Sequence, residues 1–152
     1  HFSPHFLLLG LCSAGRGRDF ELTALALHVE FLLTALRRHL PAGAGLRLAL
    51  SDFGAPAQPA ETIAGWLRAR SDRFSGLICE TAPDRPTGRG YYSGCCFHLF
   101  LRLPDGSERQ IADGGAVVWA ARLLSAGKER MVISGLGLEG LAANFIPAGQ
   151  ST

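Results

Sequence analysis

Lysine is almost missing from this chain: Lys128 is the only one, and the formal charge of +2 over 152 residues comes almost wholly from arginine. The arginines are scattered, so the chain lacks the basic stripe of a nucleic-acid-binding surface. It also lacks any uninterrupted apolar stretch near the ~20 residues needed to cross a bilayer, since the longest helical candidate is broken by Glu21, His28, Glu30 and Arg37. Cys12, Cys79, Cys95 and Cys96 show no Cys-x-x-Cys spacing and sit in apolar segments. They read as reduced packing residues of a cytoplasmic protein, with neither a disulfide framework nor a zinc site implied. His1, His5, His28 and His39 are spread too widely for a metal site. No cofactor is implied either. What remains is a chain that is 47% hydrophobic, long enough for one domain that buries roughly 70% of its unfolded surface. It opens on His1 without a signal-like apolar region, which marks it as a processed piece, a trimmed chain or a tag remnant.

Local patterns predict the elements. A strand is expected at Phe6–Leu11, ending in a turn over Ser13–Arg18. A helix is expected from Asp19 to Leu40, because Leu22, Leu25, Val29, Leu32, Leu36 and Leu40 recur at three- and four-residue steps. Asp19 is its candidate N-cap, and Pro41 and Gly43 stop it. Leu46–Leu50 reads as a strand, Ala60–Arg70 as a helix, Gly76–Glu80 as a strand and Thr81–Gly90 as an irregular loop. From Ser93 to Leu103 the residues alternate, with Cys95, Phe97, Leu99 and Leu101 on one face and Cys96, His98, Phe100 and Arg102 on the other. Asp105-Gly106 predicts a hairpin returning over Glu108–Ala112. A helix over Ala116–Ser125, a strand over Met131–Ser134 and a last helix from Leu138 to Phe145 complete the order. The class is α+β, with a mainly antiparallel sheet and packed helices.

Several short motifs stand in order: Thr87-Gly88-Arg89-Gly90-Tyr91-Tyr92-Ser93-Gly94, then Gly114-Gly115, then Gly135-Leu136-Gly137-Leu138-Glu139-Gly140. Together they resemble the catalytic half of histidyl-tRNA synthetase. The resemblance implies a class II aminoacyl-tRNA synthetase-like fold over residues 1–152, partial because motif 1 is absent. The first half of the chain matches by element order alone. Where the family signature has arginines, this chain has Thr87, Ala116 and Gly140, and the signature aspartate is Gly90. Adenylate formation brings a carboxylate onto an ATP phosphate, so fixed cations must offset the repulsion of two anions, and arginine suits this through its paired donors. No catalytic residue is therefore assigned.

The resemblance implies a ligand-binding set of Tyr91, Tyr92, His98, Gly114, Gly115, Gly135, Gly137 and Glu139, with a small amino acid as the ligand. Each has a plainer reading beside it. A Tyr-Tyr pair at the start of a strand also serves sheet packing, His98 also reads as a satisfied half-buried histidine, and Gly135-x-Gly137 lacks the third glycine of a dinucleotide loop. Asp52, Glu80 and Asp113 read as carboxylates of solvated turns. Any pocket is expected between the Tyr91-Tyr92 turn and Gly135–Gly137. The implied function is an inactive paralogue of histidyl-tRNA synthetase serving as a regulatory or interaction subunit, for which the regulatory subunit of ATP phosphoribosyltransferase in histidine biosynthesis is the family precedent. Two alternatives stand beside it: a divergent adenylate-forming enzyme fragment, and a tRNA- or nucleotide-binding module. Absence of motif 1 further predicts self-association, or binding of another protein, through the N-terminal strand and the Asp19–Leu40 helix.

Overall fold

The computed structural model describes residues 6–40, 42–53, 59–70, 72–139 and 141. The elements run β1 (Leu8–Arg16), α1 (Phe20–Arg37), β2 (Gly45–Asp52), α2 (Pro59–Arg68), β3 (Leu77–Thr81), β4 (Cys95–Arg102), β5 (Glu108–Val117), α3 (Trp119–Leu123) and β6 (Glu129–Gly137). One six-stranded sheet has the order β1-β6-β5-β4-β2-β3. Every neighbouring pair is antiparallel except β2 with β3. The α+β expectation holds.

Helices α1 and α2 lie on one face of this sheet because side chains alternate along each strand, while α3 buries none of its residues. Leu46, Leu48 and Leu50 of β2 and Phe97, Leu99 and Leu101 of β4 point into the core shared with Leu25, Val29, Leu32 and Leu36 of α1 and Ile63 and Leu67 of α2. Each such burial contributes about 1.5–3 kcal/mol. A polar pin fixes α1: buried His28 places one ring nitrogen 2.9 Å from Ser13 Oγ on β1 and the other 2.9 Å from Ser134 Oγ on β6. Burial pushes the His28 pKa below the usual histidine value, so the neutral ring is the folded form.

Several boundaries differ from expectation. The turn expected over Ser13–Arg18 is strand as far as Arg16, because β6 offers a partner for each residue down to Glu129. Arg16 Nε donates to Glu129 at 2.7 Å, and Phe20 packs its ring on Gly15, where a Cβ would clash. The helix expected at Ala116–Ser125 shrinks to Trp119–Leu123, since Ala116 and Val117 pair with Val132 and Met131. The strand expected at Met131–Ser134 extends through Gly135-Leu136-Gly137, because Gly135 and Leu136 pair on both sides and Gly137 pairs with Leu8. Asp19 stands at the start of α1 but makes no side-chain cap bond. The hairpin is as expected, with Gly106 at φ 83° and the Leu103 amide donating to Ser107 O at 2.9 Å. Leu138 and Glu139 begin the expected last helix, most of which lies outside the described residues, as do Pro41, Gly140, His1 and His5.

Candidate functional site on the open face of the sheet

The face opposite the helices carries Cys96 and His98 from β4, Asp113, Gly115 and Val117 from β5, Met131, Ile133, Gly135 and Gly137 from β6, and Leu8, Gly10 and Cys12 from β1, as the cross-strand registers require. Tyr92 lies on this face. It is buried with Cys96 and Val117, and Phe53, Met131 and Ile133 close around the three. The loop that delivers Tyr92 turns on Gly88 and Gly90, both in the left-handed region at φ 85° and 83°. Tyr92 N–H donates to Gly88 O at 2.9 Å. Tyr91 points outward, edge-on to Tyr92 at 4.9 Å and to Trp119 at 5.5 Å.

The two adjacent glycines of β5 are already occupied from within. A Cβ on Gly115 would lie 2.6 Å from Cys96 Cβ and 2.7 Å from Tyr92 Cδ1; one on Gly114 would meet Ser134 Oγ and Phe97. Internal packing therefore accounts for the absence of a side chain at both. Gly10 and Gly135 are different. They are paired across β1 and β6, and among the described residues Gly10 has nothing near its missing side chain and Gly135 has only Leu8. Asp113 stands opposite Gly135 on the other side, and His98 stands opposite Asp113. This row forms a strip of bare backbone ending in a carboxylate and an imidazole, with Tyr92 along one side and Leu8 along the other.

Sequence reasoning missed the cation of this row. Arg85 is buried on the open face, its guanidinium 5.3 Å from the Tyr92 ring centre and 3.9 Å from Asp113 Oδ2. One terminal nitrogen donates to Cys96 Sγ and to Phe97 O, each at 3.2 Å, while Nε has no partner among the described residues. Arg85 sits two residues before Thr87, inside a Pro/Gly-rich loop without periodicity, so only the fold reveals it. Burial raises the Tyr92 phenol pKa, and the Asp113 carboxylate raises it further. Burial, then Arg85, lowers that of His98, with Asp113 opposing. Desolvation likewise pushes the Cys96 thiol up to about 11. The site is thus a neutral phenol, a neutral imidazole, one carboxylate and one guanidinium.

Tyr92, His98, Gly115 and Gly135 share this region. Gly114 faces the helices, Gly137 lies one step further along β6, and exposed Glu139 follows the end of that strand. The other carboxylates are not loose turn residues. Asp52 accepts from the Ala60 amide at the start of α2, Glu80 pairs with Arg47 at 2.7 Å, and Asp113 is within β5. A separate cavity of about 220 Å³ lies on the helix side, between Arg18, Glu21, Pro59 and Ser93. Among the described residues no group of histidine, cysteine and carboxylate side chains could hold a metal, and no helix is long and apolar enough to cross a membrane.

This fold is that of the class II aminoacyl-tRNA synthetases. The chain superposes on apo histidyl-tRNA synthetase of S. aureus with a TM-score of 0.69 at 18% identity, covering 97% of this chain and 42% of that one. It also superposes on the RNA-binding domain of threonyl-tRNA synthetase from Cryptosporidium parvum Iowa II, with a TM-score of 0.58 at 13% identity, covering 93% of this chain and 37% of that one. The chain thus spans less than half the length of either. No protein-family model and no curated protein matches it.

Proposed function

We propose that this chain is a catalytically inactive synthetase-fold domain, related to histidyl-tRNA synthetase, that works as a regulatory or interaction subunit and retains a site for a small amino acid. One observation carries the reading: the open face that would have to hold a nucleotide is filled by the protein's own Tyr92, Cys96, Val117, Met131 and Ile133. Its buried cation, Arg85, turns inward onto Cys96 and Phe97 O. Phosphate binding needs guanidinium donors that face the ligand, and Thr87 and Ala116 supply none. The bare strip at Gly10 and Gly135 accepts a ligand close to backbone, with Asp113 placed for an amine. Histidine biosynthesis is the setting that the regulatory precedent supports.

The second reading, a divergent adenylate-forming enzyme fragment, draws on Arg85 beside Asp113, a cation that could turn outward. The third, a nucleic-acid or nucleotide module, draws on the likeness to an RNA-binding domain but finds no basic stripe to support it. Calorimetric titration with magnesium-ATP separates these. The proposed role predicts no saturable heat with or without histidine, and saturable binding strengthened by histidine would overturn it.

A further inference from the structure

Three arginines on the helix side of the sheet converge on one cavity. It measures about 370 Å³ and is lined by Thr34, Arg37, Arg38, Arg73 and Phe74, a volume within the range of small-molecule sites. Thr34 and Arg37 lie in the last turn of α1, and Arg38 caps it. Cations there complement the helix dipole, which accounts for two of the three. Arg73 needs another cause, because it belongs to the turn between α2 and β3. The Arg73 and Phe74 amides both donate to Arg70 O, at 2.9 and 3.2 Å, and the Leu77 amide donates to Phe74 O at 3.0 Å. Phe74 itself is buried in the core. Arg37 ties α1 to the same turn by donating to Ser75 Oγ at 3.3 Å. The cleft is therefore framed by two anchored elements.

No carboxylate lines this cavity, and Asp72, beside Arg73 in the chain, is outside the lining. Glu30 takes one Arg73 nitrogen at 2.8 Å, while Arg38 has no hydrogen-bond or ion-pair partner among the described residues. Three guanidiniums against one carboxylate leave two positive charges, which matches the charge of about −2 on a phosphomonoester near neutral pH. Guanidinium donors come in pairs that suit phosphate oxygens, and Thr34 adds a hydroxyl. An apolar wall continues from the same place. Leu27, Phe31, Thr34 and Arg38 follow at four-, three- and four-residue steps, so they share one face of α1, and together they line the adjoining cavity. Phe31 and Leu27 are 49% and 59% exposed there. We propose that this cleft binds a phosphomonoester with an apolar or aromatic organic group, its phosphate between Arg37, Arg38 and Arg73 and its organic group on Phe31 and Leu27. Magnesium-ATP is a poor ligand for it, because the metal already holds phosphate oxygens that the guanidiniums would take.

Calorimetric titration of the whole chain with phenyl phosphate and with inorganic phosphate, at an ionic strength held constant with sodium chloride, tests this. One saturable site is expected for each, tighter for phenyl phosphate. Arg38→Gln should weaken both by roughly tenfold, the loss of a charge-assisted hydrogen bond. Arg38→Lys should recover only part of this, since the charge returns without the paired donors. Phe31→Ser should weaken phenyl phosphate and leave inorganic phosphate unchanged. Arg109→Gln, which removes the same charge from an exposed position on β5, should change neither. Arg38 and Phe31 are exposed, so far-UV circular dichroism should be the same in every variant. Sedimentation with vesicles containing phosphatidic acid separates the two sources of such a phosphate. Cosedimentation that Arg38→Gln abolishes assigns it to a lipid headgroup, no cosedimentation assigns it to a free ester, and the site stands in both cases. Absence of saturable heat with either phosphate, or equal weakening by Arg109→Gln and Arg38→Gln, overturns the inference.

Discussion

The ring of Tyr92 lies directly over Gly115, with Cδ1 2.7 Å from where a Cβ on that glycine would sit. That contact closes the open face of the sheet, because the phenol ring rests where a flat ligand would otherwise approach backbone. Gly115→Ala should force the ring or the strand to move, at a cost of about 1–3 kcal/mol. Chemical denaturation with an unchanged m-value would measure it. A loss below a few tenths of a kcal/mol would show that Tyr92 is loosely held.

His28 makes stability depend on pH. Its pKa is lowered in the folded state by burial, so the unfolded chain binds the proton more readily. The His28 contribution is therefore complete above the unfolded value of about 6.5 and is lost as pH falls through the lower folded value. Half-buried His98 is shifted in the same direction. Unfolding curves should shift to lower denaturant as pH drops below about 6.5, and His28→Gln should flatten part of that dependence. An identical slope in the variant would remove His28 as its source.

The cysteines should react in order of exposure. Cys12 is exposed, whereas Cys95 and Cys96 are buried and burial raises both thiols, that of Cys96 to about 11. Native maleimide labelling followed by mass spectrometry should modify Cys12 first and reach Cys95 and Cys96 only on unfolding. Early labelling at Cys96 would mean that the cover formed by Tyr92 and Arg85 opens readily.

The elements with strong periodicity were legible before any coordinates. Leu22 to Leu36 marks α1 and the alternation from Cys95 to Leu101 marks β4, because burial of one face imposes those periods on the residues themselves. The errors fell where long-range pairing overrode local preference. Ala116 and Val117 enter a strand because β6 is beside them, and Ser13, Ala14 and Gly15 extend β1 for the same reason. Half of the site was visible as motif, namely Tyr92, His98 and the glycines. Arg85 was not, since a loop carries no period and its burial depends on Tyr92 and Phe53 folding over it. The division between filled Gly114 and Gly115 and open Gly10 and Gly135 likewise depends on what lies across the strands.

If the bare strip beside Asp113 holds an amino acid, histidine should raise the midpoint of thermal unfolding. Asp113→Asn and Tyr92→Ala should each reduce that shift at least several-fold. A screen of amino acids without any shift, or a shift that survives Tyr92→Ala, would rule out a ligand at this place.

Histidine-dependent exchange of pyrophosphate into ATP tests the central claim most directly, because it detects adenylate formation whether or not a tRNA is present. With Tyr92 and its neighbours covering the open face and Arg85 turned inward, exchange should equal that of a protein-free blank. Exchange well above the blank, abolished by Arg85→Met, would contradict the claim and place this chain among the enzymes.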